Sequence, residues 1–244
     1  MTEFFNSIFY IPLYNALIAI VGIVPGHDAG VAVIILTFLV KIALTPLSIQ
    51  AIKTQVGMKA IEPELKDLRE TYKDDREKQA REMLELYKKH NIKPFSSILM
   101  ALIQIPFLLY LFFVFQGEAF PAINTGLLYS FVHAPATVSI LFLGLLDITK
   151  ASIVLAVLAG IAQFVQSIIA IPIPKKDEQG STPSFGAEFG RSMAINARYI
   201  LPVIIGFFSY TLGGAMALYF IVSALTQAAQ EVLFMKKVRN ASVK

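Results

Sequence analysis

The sequence contains no cysteine. Disulfides, thiolate metal sites, cysteine nucleophiles and lipid attachment through cysteine are therefore excluded. Histidine is nearly as scarce: His27, His90 and His133 are scattered without metal-ligand spacing, so no metal site is expected. Charge is sparse as well. Charged residues make up 16% of the 244, against about 25% in a soluble domain. Met1–Glu3 lacks the basic run of a secretory signal, so none is expected ahead of the first apolar segment. Apolar residues fill the chain instead, at 56% and a mean hydropathy of +0.65. They come in runs of roughly 20 rather than in amphipathic stripes, the pattern of membrane-spanning helices.

Residues 4–24 are apolar but interrupted by Asn6, Ser7, Pro12 and Asn15. Within a segment 1–29 they are read as an interfacial helix anchored by Tyr10 and Tyr14, with a full span as the rival reading. Residues 30–50 are the first clear span, with Pro46 expected to bend its inner end. Residues 51–93 are strongly charged. Four further spans are expected within 94–235: 97–115, 151–173, about 198–212 and about 215–234, the last two divided by Gly213-Gly214. Residues 117–150 form a loop expected at the surface, 174–197 a polar, flexible loop, and 236–244 a basic tail.

Charge placement orients these spans. Of 21 Lys and Arg residues, 11 lie in 51–93, four in 174–198 and four after residue 235. By the positive-inside rule these three segments are cytoplasmic. An odd number of spans then puts the N-terminal segment outside.

The 51–93 segment has helical patterning. Met58, Ile61, Leu65, Leu68 and Tyr72 form one apolar stripe. Pro63 suits the first turn of a helix ending near Tyr72, Asp74-Asp75 mark a turn, and 76–90 form a second helix with Ala80, Met83, Leu84 and Tyr87 on one face. Glu62–Lys66, Glu77–Arg81 and Glu85–Lys89 have i,i+4 spacing. An antiparallel hairpin follows, either a solvated element that sets topology or a docking surface near anionic headgroups.

Lys41 lies 11 residues beyond Gly30. At about 1.5 Å per residue it sits near the bilayer centre, where a charge costs about 2.5–3.5 kcal/mol on insertion scales. No Asp or Glu falls within the five expected span cores, Glu231 standing near the inner end of the last. Two readings are open. Lys41 snorkels toward the cytoplasm, or it faces a hydrated cavity lined by Thr37, Gln104, Gln163 and Gln166. Each glutamine is also suited to interhelical hydrogen bonding. With no acidic pair and no nucleophile–base pair within the spans, an enzyme is not expected.

Several segments resemble the YidC-type membrane protein insertase family. TFLVKIALTPLSIQ (37–50) is similar to its first core span, KAIEPELKDLRETYKDD (59–75) to its hairpin, and LYKKHNIKPFSSILMALIQIPFLLYLF (86–112) to its hairpin exit and second span. FLGLLDITK (142–150), AGIAQFVQ (159–166) and SYTLGGAMALYFIVSALTQAAQE (209–231) continue the match in order. The resemblance implies an all-α membrane protein, with five transmembrane helices around a hydrophilic groove, a cytoplasmic two-helix hairpin and an N-terminal interfacial helix. It implies an insertase and chaperone of the cell inner or plasma membrane that needs no ATP or other cofactor. Its implied partners are nascent membrane proteins and the lipid bilayer, with a ribosome, a targeting receptor or a Sec translocon as further candidates and no direct nucleic-acid substrate. Lys41 and Thr37 correspond to the groove's basic residue and its neighbouring threonine, and Ile105, Leu108, Tyr219 and Phe220 to substrate-contact positions. The chain departs from the family at three points. Lysine replaces the usual arginine, Lys93-Pro94-Phe95-Ser96-Ser97 replaces an Asn-Pro-Leu-Gly-Gly stretch, and the large outer domain of some members has no counterpart. The rival classes are a small-solute transporter or channel and a scaffold for assembling membrane complexes.

Overall fold

Prolines, glycines and short polar caps cut the apolar runs into helices. A computed structural model describes residues 6–116, 120–171 and 185–241, together with Glu3 and Ile173. A π-helical turn, Asn6–Tyr10, leads into α1 (Ile11–Ile23), which stops at the extended Val24 just before Pro25. Asp28 starts α2 (Ala29–Ala43): its Oδ1 accepts from the backbone N–H groups of Gly30 (2.8 Å) and Val31 (3.1 Å). The helix breaks at Leu44, and Pro46 opens the first turn of α3 (Thr45–Ala60). The expected bend is therefore a break, and α3 runs through the expected boundary at residue 50 without interruption.

The helices α4 (Glu62–Thr71) and α5 (Arg76–Lys89) follow, with Pro63 in the first turn of α4 and Asp75 capping α5 through the Lys78 N–H. Next come α6 (Ser96–Gln116), α7 (Ile153–Ala170), α8 (Phe185–Thr211) and α9 (Gly214–Ala241). Four helical segments are long and apolar enough to cross a membrane: Asn6–Ile23, Ile153–Ala170, Arg191–Thr211 and Gly214–Met235. The count is five if α2 and α3 are one broken span, and α6 holds a shorter apolar stretch, Leu102–Phe115. The N-terminal helix, expected at the interface, is thus long and apolar enough for its rival reading as a span. The protein is a multi-pass, mostly helical membrane protein.

Two compact units divide the chain. The first comprises Met1–Ile42 and Pro106–Ala228. Its core joins Leu17, Ile18 and Val21 of α1, Val33 and Leu36 of α2, Tyr110 and Leu111 of α6, and Met216 and Tyr219 of α9. Tyr14 is a core residue, not a lipid-facing anchor; its hydroxyl accepts from the Asn124 N–H at 2.8 Å. Asn15 donates to the Leu127 carbonyl (2.9 Å) and accepts from the Tyr129 N–H (2.7 Å). The N-terminal helix is thereby tied to the 120–150 segment.

That segment was expected at the surface, yet Leu127, Leu128, Val132, Val138, Phe142 and Leu146 pack on the core and Ile148 is buried. It also carries two short antiparallel strands, β1 (Leu141–Phe142) and β2 (Leu146–Asp147), pairing Leu141 with Asp147 and Phe142 with Leu146. The loop satisfies backbone donors that a helix start leaves open: Gly214 donates to the Lys150 carbonyl and Ala215 to that of Ile148. Gly213 (φ 91°) makes the turn into α9.

α8 begins at Phe185, so the expected flexible loop 174–197 is helical over its second half, from residue 185 onward. Gly180, Ser181 and Pro183 lie outside the described residues. Likewise α9 continues to Ala241, through most of the expected basic tail.

The second unit comprises Ala43–Ile105 and Ala229–Lys244. Here Ile61, Leu65 and Ile92 form a small core with Met58, Met83, Leu86 and Tyr87. Ala80 and Leu84, expected on the packed face, are exposed, and Leu86 and Ile92 take their place. Arg81 pairs with Glu77 (3.7 Å) as the spacing predicts, but Lys89 reaches Glu64 on α4 (3.9 Å) rather than Glu85. The hairpin is thus closed by charge as well as by apolar contact.

Candidate functional site

One face of α2 carries the site. Val33, Leu36, Thr37 and Lys41 are buried, whereas Phe38, Leu39 and Ile42 are about half exposed. The apolar exposed face suits lipid, so the helix turns Lys41 away from it. Thr37 and Lys41, one turn apart, share the inward face. Lys41 is 3% exposed and Thr37 1%. An ammonium this enclosed has not snorkelled along a lipid-facing surface. It lies inside protein, where a charge persists only with polar company. Lys41, Gln104 and Gln166 each hold an interaction partner. The Thr37 hydroxyl is buried and has no hydrogen-bond partner among the described residues.

α7 contributes a polar stripe. Gln163 Nε2 donates to Gln166 Oε1 (2.9 Å) and to the Ser167 hydroxyl (3.4 Å). Gln166 and Ser167 are buried and Gln163 is half-buried. On α9, Tyr219 is buried, packed against Phe107 (5.4 Å between ring centroids) and Phe220 (5.1 Å). Leu108 and Phe220 are half-buried at the edge of the same core. Thr37, Lys41, Leu108, Gln163, Gln166, Tyr219 and Phe220 all belong to the first unit. Gln104 and the half-exposed Ile105 belong to the second.

Sequence reasoning missed three buried serines of the first unit: Ser167, Ser209 and Ser223. Two of them were findable. Ser167 follows Gln163 by four residues and Ser223 follows Tyr219 by four, so each shares a helix face with a residue already singled out. Ser209 carries no such signal, and its buried hydroxyl has no hydrogen-bond partner among the described residues. A cavity of about 480 Å³ lies elsewhere, between α7 and α8, lined by Ile153, Val157, Phe164, Tyr199, Val203 and Tyr210 among others. Its apolar walls suit lipid rather than a charged ligand. No cluster of acidic or histidine side chains capable of holding a metal occurs among the described residues.

Comparison with known proteins shows the family. The family model of the 60Kd inner membrane protein matches residues 21–241. The chain belongs to the 60Kd inner membrane protein family. A relative from Clostridium tetani, named membrane protein insertase YidC, is 30% identical over 213 residues, covering 87% of this chain and 84% of the relative. Relatives of the same name from Methylobacillus flagellatus (28% identical, 96% of this chain) and Francisella tularensis subsp. novicida (29%, 95%) are longer. This chain spans 37% and 36% of their lengths. The 60Kd family match includes both helices of the hairpin, Lys41 and the α7 polar stripe.

Proposed function

We propose that the protein is a membrane protein insertase, moving hydrophobic segments of nascent membrane proteins from the cytoplasm into the bilayer without ATP. The observation that carries this reading is a buried lysine and a buried threonine hydroxyl with no hydrogen-bond partner among the described residues, both on one face of a membrane helix, in a member of a family whose relatives are named insertases. In this reading Thr37, Lys41, Gln163 and Gln166 line a hydrophilic groove, and Ile105 is a contact position that the family resemblance implies, with the polar Gln104 next to it in sequence. A polar flank of the substrate enters it and travels a shorter path through hydrocarbon. Leu108, Tyr219 and Phe220 form the apolar wall along which the hydrophobic segment slides to lipid. Burial of that segment supplies the free energy, about 25 cal/mol per Å² of apolar area. No bond is made or broken, so the protein lowers a barrier and does not act as an enzyme.

The hairpin α4–α5 and the C-terminus face the cytoplasm in this scheme, where basic residues are retained. The N-terminal helix lies at the outer interface beside the loop to which Tyr14 and Asn15 tie it. The hairpin then serves as the docking surface for a ribosome, targeting receptor or translocon. Site-specific crosslinking from Thr37, Ile105 and Phe220 to a stalled nascent membrane protein tests the groove. Adducts from these positions are expected; silence at all three, with adducts from lipid-facing Phe38, would overturn it.

A further inference from the structure

The tip of the β1–β2 ribbon has a composition that folding does not explain. Leu143 (φ 52°) and Gly144 (φ 73°) are successive residues at positive φ, and Leu145 N–H donates to the Phe142 carbonyl across them. Asparagine and glycine are the ordinary choices for such a pair, because a larger side chain is strained there. Leucine at the first position therefore needs a compensating contact, and inside the protein it has little. Leu143 is 65% exposed and Leu145 81%. The strained residue is nevertheless held firmly: Asp28 Oδ2 accepts from the Leu143 N–H at 2.7 Å while Oδ1 caps α2.

The ribbon's position supplies the missing partner. Phe142 lies against Gly30 in the first turn of α2, so closely that a Cβ on that glycine would fall 2.7 Å from the ring. Ile148 lies against Gly214, the first residue of α9, with its Cα 2.9 Å from where a Cβ would stand. The ribbon and the residue just after it thus lie against the first turns of α2 and α9, which in the multi-span reading puts them near the polar–apolar boundary. Exposed leucines at that depth continue the apolar, lipid-facing surface of the spans.

We infer that Leu143 and Leu145 form an apolar wedge whose partner is the acyl-chain region of the adjoining leaflet, seating the loop on the membrane. The Asp147–Lys150 pair (2.9 Å) at the base of the ribbon faces the headgroups. This inference rests on the multi-span reading but not on which side is cytoplasmic, nor on insertase activity. Its failure is therefore distinguishable from failure of the proposed function.

The absence of cysteine makes the test direct. An environment-sensitive fluorophore is attached to Leu145→Cys, to Leu143→Cys and to Glu77→Cys as an aqueous reference, in the full chain reconstituted into phosphatidylcholine–phosphatidylglycerol vesicles. Blue-shifted emission at both leucine positions is expected. Doxyl lipids labelled near the headgroup end of the chain should quench them more than deeply labelled ones. Iodide, present on both sides of the membrane, should quench them several-fold less than the Glu77 site. Iodide quenching equal to that reference, with no doxyl quenching at either leucine site, would overturn the inference.

Discussion

At the scale of single residues, charge in scarce supply is placed where it organises structure. Asp28 accepts three backbone N–H groups, two at the start of α2 and one from Leu143. Asp28→Ala removes a helix cap and a charge-assisted bond, so a loss of about 1–3 kcal/mol is expected in chemical denaturation in detergent. Asp28→Asn should lose less, because the amide oxygen still caps. Asp147 and Lys150 form an ion pair outside the spans. Partial burial pushes the Asp147 carboxyl up, but hydrogen bonds from Thr149 and Lys150, with the lysine's charge, outweigh it and hold the group below its ordinary 3.8. The same pairing raises the Lys150 ammonium above 10.5. The carboxylate's contribution is therefore full above 3.8 and lost as pH falls through the depressed value. That of the ammonium is full below 10.5 and lost as pH rises through the raised one. Thermal unfolding of wild type and Asp147→Asn should differ by a constant gap across neutral pH, closing in strong acid and narrowing again in strong base. In the proposed groove, Lys41 would be the functional counterpart of these structural charges. Lys41→Ala is expected to impair insertion of substrates with acidic flanks several-fold, and Lys41→Arg to be tolerated because the charge is kept. Equal insertion by wild type and Lys41→Ala across a substrate panel would remove the role assigned to it.

Among the elements, α7 and α8 meet through glycine. A Cβ on Gly160 would fall 3.3 Å from the Pro202 carbonyl oxygen, and one on Gly206 3.4 Å from that of Ala156. Gly160→Val should force the backbones apart and cost about 1–3 kcal/mol, read as a lower unfolding midpoint in detergent, whereas Gly22→Val meets open space. Neither close approach was legible in the sequence, since a glycine in an apolar run does not say which helix it faces. The helices themselves were largely legible, because prolines and caps punctuate them: Pro63, Asp75 and Gly213 mark boundaries that the structure keeps, whereas at Pro46, where a bend was expected, the helix breaks instead. The short β ribbon was not, as two-residue strands leave no period to read. Within the hairpin, Ala80 and Leu84 suited the expected stripe as well as Leu86 does. Only packing against Ile61 and Leu65, and the Lys89–Glu64 pair across the helices, decide which way α5 is turned.

On the scale of the whole molecule, the distribution of basic residues makes the topology testable by labelling. Glu77→Cys should react with a membrane-impermeant maleimide only from the cytoplasmic side, and His133→Cys only from the other. Reaction of both from one side would contradict the orientation. Much of the candidate site was visible in the sequence because a lysine and polar residues stand out in apolar spans. Their burial was not, since it depends on which face of α2 is covered: Phe38 and Thr37 are adjacent in sequence, yet one is half exposed and the other enclosed. Insertion itself is the central claim, and reconstitution addresses it most directly. The purified protein in vesicles, without ATP, should raise the protease-protected fraction of a single-span substrate with an acidic flank several-fold above protein-free vesicles. Equal protection in the two preparations, with the protein shown to be folded and correctly oriented, would contradict the account.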